Sequence, residues 1–212
     1  MNWDLFFKEE KEKEYFINLM NYLKTEYENK TIYPKYENIF EAFKLCNLDN
    51  LKIVIIGQDP YINENEAHGL AFSTLNSKYP PSLKNILEEI NNNFNINRTN
   101  GNFSDLASQG ILFLNTILTV EAKKSLSHKN IGWEKFTLNL MKFLNNQQKP
   151  IVFMLWGNDA IKYQKYLTNN KFLILTSSHP SPLSVYRGFR GCKHFSIANE
   201  YLKSNNINII NY

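Results

Sequence analysis

A single α/β domain spanning residues 1–212, with a central four-stranded parallel twisted sheet and helices on both faces, is predicted from three observations. Four apolar runs recur along the chain, at Leu51 to Ile56, Ile111 to Leu114, Ile151 to Trp156 and Phe172 to Leu175. Helical patterns separate them, which favours parallel strands joined by crossovers. Each run is followed at once by residues that hydrogen-bond or titrate, and a parallel sheet would bring all four sets to one edge.

In chain order, Glu9 to Glu28 comes first. Tyr15, Phe16, Leu19, Tyr22, Leu23 and Tyr27 recur there at three- and four-residue spacing with Lys and Glu between them, which predicts one amphipathic helix. Leu51 to Ile56 is a continuous apolar run, read as a strand buried on both faces. It stops at Gly57-Gln58-Asp59-Pro60-Tyr61, where Pro60 can continue neither a ladder nor a helix interior. Ser82 to Ile90 carries a helical pattern, and Ile111 to Leu114 a second strand. Trp133 to Leu144 is again helical, followed by strands at 151–156 and 172–175. The Asn-rich pieces Asn91 to Asn93 and Asn145 to Gln148 fall between these elements and are read as loops or helix ends.

A chain of 212 residues can bury a substantial core in one domain. Its hydrophobic share of 43% excludes a disordered chain. Cys46 and Cys192 lack the spacing of a zinc site or a disulfide framework, and two isolated thiols fit a reducing compartment. Charged residues crowd the first thirteen positions, where a signal peptide would need an apolar stretch, and no run reaches the ~18 apolar residues of a membrane span. A cytoplasmic, monomeric protein is expected. The net charge of +4 permits an anionic partner without demonstrating one.

The strand ends carry the chemistry. Gln58 and Asp59 follow the first run, Asn115 the second, Gly157 and Asn158 the third, and Ser178-His179-Pro180-Ser181 the fourth. Asp before Pro is common in turns, but four polar sets at one edge form a cluster that fits a binding site. The cluster holds a carboxylate, an amide, an imidazole and hydroxyls, with no lysine and no grouped metal ligands. No cofactor and no metal is therefore expected. A Ser-His-Asp triad could be drawn from Ser181, His179 and Asp59, but the chain has no GxSxG elbow.

The strings GQDPY at 57–61, AHGLAFS at 67–73, PPSL at 80–83, FLN at 113–115, SHKNIGWEKFT at 127–137, LWG at 155–157 and HPSPLSVYRGF at 179–189 resemble the family 1 uracil-DNA glycosylases. The likeness also takes in IYPKYENIF at 32–40 and so runs over nearly the whole chain in the family's order. It implies that family's fold and the release of uracil from single- or double-stranded DNA by a monofunctional glycosylase of base excision repair. By the resemblance, Asp59 is the acid-base residue that stabilises the cationic sugar and orients water, and His179 donates to the uracil oxygen where negative charge develops. Asn115 would donate to O4 and accept from N3–H, which cytosine reverses. The Tyr61 ring would stand where the methyl group of thymine must go, Phe72 would stack on the base, and Gln58 would act through its main chain. Leu183 would fill the gap that a flipped nucleotide leaves. Pro80, Pro81, Ser82, Gly157, Asn158, Ser181, Ser184, Tyr186 and Arg187 would lie against the DNA backbone.

Four departures stand out. Ile62 replaces the family's usual His, Asn63-Glu64 replaces Gly-Pro, Asn158 replaces Ser, and Arg190 replaces Phe. Ile62 supports a competing reading, a uracil-DNA binding or scaffold protein with weak or lost turnover. Retention of Asp59, His179, Asn115 and Leu183 favours the enzyme, because a scaffold has no need of a charge-stabilising pair. Binding of an inhibitor protein is left open by the sequence.

Overall fold

The computed structural model describes residues 3–212. In chain order the elements are α1 (Asp4–Lys11), α2 (Glu14–Asn29), β1 (Ile32–Tyr33), α3 (Glu41–Leu45), β2 (Ile53–Gly57), α4 (Pro81–Phe94), α5 (Ser104–Ser108), β3 (Ile111–Asn115), β4 (Val120–Glu121), α6 (Trp133–Asn145), β5 (Ile151–Trp156), α7 (Asn158–Ile161), β6 (Phe172–Ser177) and α8 (His194–Ser204). Four strands form one parallel sheet, as the sequence predicts, and the structure sets their order as β3-β2-β5-β6. The short strands β1 and β4 pair antiparallel apart from it.

The alternation of side chains along a strand divides the core in two. Val54, Ile56, Leu112, Leu114, Phe153 and Leu155 face a layer that includes α1, α2, α3 and α6. Ile53, Ile55, Phe113, Val152, Met154 and Trp156 face the other layer, built from α4, α5 and α8. Because both faces are covered, β2 and β5 are buried throughout, and that explains why their sequences are continuously apolar.

The single helix expected over 9–28 is two helices. Lys13 is extended, with φ −81° and ψ 129°, and separates α1 from α2. The reason is Glu10, a carboxylate on the buried face. It is matched by the Lys13 ammonium, the Tyr15 hydroxyl and the Asn139 amide, an arrangement that requires the chain to turn back at that point. Tyr22, counted on the apolar face, is 42% exposed.

The Asn-rich pieces are ties more than loops. Asn93 lies in the last turn of α4 and accepts from Ser196 N, while Asn145 ends α6 and accepts from Thr168 N and Asn169 N. The helix expected from Ser82 begins one residue earlier, at a proline pair. Pro80 is the N-cap of α4 and Pro81 its first residue, where a missing N–H costs nothing.

Candidate active site

The chain leaves β2 toward β3 on one side and β5 toward β6 on the other, so the sheet changes direction between β2 and β5. Beyond the carboxyl ends of such strands lies the crevice where open α/β sheets bind ligands. A cavity of about 240 Å³ opens there. Gln58, Asp59, Tyr61, Phe72, Ser82, Asn115 and His179, all singled out in the sequence, line it together.

Gly57 pairs with Asn115 across β2 and β3. A Cβ on Gly57 would sit 2.3 Å from Asn115 Oδ1 and 3.0 Å from the Ala71 Cβ, so glycine is what lets the amide lie across the strand end. Among the described residues, no protein group hydrogen-bonds the Asn115 amide, which leaves it to a ligand. Phe72 takes φ +65°, an uncommon conformation for an aromatic residue. Its ring lies 5.7 Å from the His179 imidazole and 5.5 Å from the Trp156 ring. The Tyr61 hydroxyl donates to the Phe72 carbonyl at 2.9 Å.

Asp59 is held through one oxygen. Its Oδ2 accepts from Leu126 N at 2.7 Å and from Ser125 Oγ at 2.8 Å. Those donors stand on the loop after β4, where Lys123 and Leu126 both have positive φ, at +63° and +60°. Two left-handed residues in one short loop mark stored backbone strain, a feature that concentrates at functional sites.

His179 has its tautomer set by the backbone. Its Nδ1 accepts from Ser181 N at 3.1 Å, so the ring proton lies on Nε2. Burial pushes its pKa below the ordinary value, against the opposing pull of Asp59 and Asp159. The imidazole is thus a neutral N–H donor beside the cavity. Gly157, at φ +85°, approaches so closely that a Cβ would meet the His179 Cβ at 3.0 Å. Ser181 reaches His179 by its backbone and not its hydroxyl, so the triad drawn from Ser181, His179 and Asp59 is not formed.

Around His179 the loop is fastened from within. Ser184 Oγ donates to His179 O at 2.8 Å and lies 3.2 Å from Ser181 Oγ. Asn85 in α4 donates to Pro180 O at 2.7 Å, joining this loop to the helix that carries Ser82. On that framework Leu183 is 83% exposed and Tyr186 66% exposed, with the Arg187 guanidinium 5.4 Å from the Tyr186 ring centre. Asn158 is exposed at the start of α7. Arg190 lies beside Glu88, 3.4 Å away on the surface.

The sequence reading missed three participants. Ser125 and Leu126 belong to a loop that no periodicity marks. Asp159 stands one residue beyond the strand-end set, where it takes a hydrogen bond from the Gln58 side chain across the β2–β5 crevice and is itself paired with Lys162. Its carboxyl is held below the usual range; burial opposes this, and the Lys162 and Gln58 hydrogen bonds outweigh it. The Gln58 side chain thus points to α7, while its carbonyl accepts from Ile117 N at 3.0 Å and Thr116 Oγ1 at 2.9 Å.

Residues 43–203 match the family model of the Uracil DNA glycosylase superfamily. A protein of Francisella philomiragia named uracil-DNA glycosylase is 50% identical, over 100% of this chain and 99% of its own. One of the same name from Aliarcobacter butzleri is 47% identical, over 97% of each. Among solved structures, that of mimivirus uracil-DNA glycosylase superposes with a TM-score of 0.92 at 31% identity, covering 98% of this chain and 84% of its own.

Proposed function

Because the chain belongs to the Uracil DNA glycosylase superfamily, we propose that it is a family 1 member in which Asp59 and His179 stabilise opposite charges across one N-glycosidic bond. The reaction is hydrolysis of the bond between deoxyribose and uracil in DNA, which serves base excision repair and leaves free uracil and an abasic site.

As that bond breaks, the sugar gains cationic character and the base leaves as an anion. The Asp59 carboxylate stabilises the sugar and orients the attacking water. The anion's charge spreads over both uracil carbonyls. Asn115 takes O4 and N3–H, so O2, next to the breaking bond, is left for the His179 Nε2–H. A neutral donor can stabilise it without a proton first arriving from solvent.

Selectivity follows from the walls. Cytosine would set donor against donor at Asn115, and thymine would drive its methyl group into Tyr61. Phe72 supplies a stacking face. A base within a duplex must be rotated out to reach the cavity, and Leu183, exposed on the loop that follows His179, would enter the vacated stack. Pro80, Pro81, Ser82, Gly157, Asn158, Ser181, Ser184, Tyr186 and Arg187 make up the DNA-facing rim. Among the described residues no lysine lines the cavity, which supports a monofunctional enzyme without a Schiff-base step.

All 212 residues act as one unit, a monomer in the cytoplasm. The support is one sheet with a core on each face and two unpaired thiols, Cys46 and Cys192.

The observation that carries this reading is that Asp59, Asn115 and His179, from three separate strand ends, share one cavity. Incubating the protein with an oligonucleotide bearing a single uracil, followed by alkali, tests it. Cleavage at the uracil is expected, and an Asp59→Asn variant should lose it; cleavage no greater than that of the variant would favour the scaffold reading.

A further inference from the structure

The acid beside the cavity is held by a side chain that no spacing or motif points to. Asp59 Oδ2 accepts two hydrogen bonds, from Leu126 N at 2.7 Å and Ser125 Oγ at 2.8 Å. Two donors on one oxygen fix both the position and the plane of a carboxylate, and they leave Oδ1 open to the cavity. Ile62 also lines the cavity but offers no donor. Among the described residues, Ser125 is the one side chain that hydrogen-bonds Asp59.

Its loop is docked on the segment that follows Asp59. Lys123 N donates to Ile62 O at 2.9 Å, and Ser127 Oγ accepts from Glu121 N at 2.7 Å, closing the loop from the other side. The left-handed residues Lys123 and Leu126 on either side of Ser125 aim the Ser125 hydroxyl and the Leu126 N–H at the same oxygen.

We propose that Ser125 is a positioning residue for the hydrolysis. It holds Asp59 so that Oδ2 is saturated and Oδ1 faces the attacking water and the sugar. This rests on the reading of Asp59 given above. Ser125 stands at the cavity rim with its hydroxyl given to Asp59, so its contribution is expected in the chemical step and not in substrate affinity. Alanine at this place has no donor for Asp59 Oδ2, whereas threonine keeps the hydroxyl.

The test measures kcat, KM and single-turnover rates on an oligonucleotide bearing one uracil, for the wild type, Ser125→Ala, Ser125→Thr and Asp59→Asn. Ser125 is exposed at the cavity rim, so all four proteins should fold, and equal melting temperatures check this. Ser125→Ala should lower kcat by about 10- to 100-fold with KM within about twofold, the scale of a hydrogen bond to a charged group. Ser125→Thr should recover most of that rate. An unchanged kcat in Ser125→Ala, a defect confined to KM, or a threonine variant as slow as the alanine one would overturn the proposal. If Asp59→Asn turned over at the wild-type rate, the role of Asp59 itself would fall, a result distinct from failure at Ser125 alone.

Discussion

The Tyr61 hydroxyl donates to the carbonyl of Phe72 at 2.9 Å, and so the residue against which thymine would clash also anchors the ring on which uracil would stack. Phe72 is held at φ +65°, and this hydrogen bond helps fix that conformation. On the proposed roles of the two rings, discrimination and stacking would be coupled through this one contact.

Replacing Tyr61 separates the two effects. Tyr61→Phe keeps the ring and loses the anchor, so it should slow uracil release while thymine stays excluded. Tyr61→Ala also makes room for a methyl group, and the preference for uracil over thymine should narrow by at least roughly tenfold, on the scale of one methyl in an apolar pocket. Release of each base from matched oligonucleotides measures it. An unchanged preference in Tyr61→Ala would mean that another wall excludes thymine.

Leu183 is 83% exposed on a loop otherwise fastened by serine hydroxyls. If its role is to replace the flipped base, Leu183→Ala should lower turnover of uracil in duplex DNA on the order of tenfold and leave uracil in single strands little changed, since only the duplex has a stack to fill. Equal losses on both substrates would place Leu183 in general DNA binding.

Acid should destabilise the fold through its histidines. Burial pushes all four below their ordinary value, and His194 furthest, to about 4 from 6.5. The His194 Nδ1 accepts from Trp156 Nε1 at 3.1 Å, so a proton there would set N–H against N–H, while Glu89 pulls the other way. As pH falls the unfolded chain binds the proton first. The stability from neutral His194 is complete above about pH 6.5 and is lost progressively toward pH 4, a total of about 3 kcal/mol. Urea unfolding between pH 7.5 and pH 4.5 should show the loss, and His194→Gln should flatten part of it. An identical pH dependence in the variant would assign the effect elsewhere.

Gly157 gives a sharper test of the histidine's placement. Alanine there must adopt φ +85° and would bring its Cβ to 3.0 Å from the His179 Cβ. Gly157→Ala should cost about 1–2 kcal/mol in stability. It should also reduce kcat by displacing the imidazole. Wild-type stability and rate would show that the loop moves freely at that point.

Much of the site could be read from the chain because its residues follow directly on apolar strands, buried in β2 and β3 and half-buried in β6. Asp59, Asn115 and His179 are each tied to a run whose apolar character survives any local disturbance, and a parallel sheet must align their ends. The pieces that escaped have no such tie. Ser125 and Leu126 reach Asp59 from a loop shaped by left-handed residues, and neither residue type advertises that conformation. The break between α1 and α2 was hidden for a related reason: Glu10 is charged, so its burial at a helix end runs against the apolar pattern from which the helix was predicted. The strands β1 and β4, two residues each, are too short to have a period.

The central claim is that Asp59 and His179 act on opposite sides of one bond. A crystal structure with an oligonucleotide carrying an uncleavable uracil nucleotide measures this directly. The account predicts the base stacked on Phe72, the Asp59 carboxylate on the sugar side of the C1′–N1 bond, and His179 Nε2 about 3 Å from uracil O2. A base seated outside this cavity, or a bond with both side chains on the same side of it, would contradict the account.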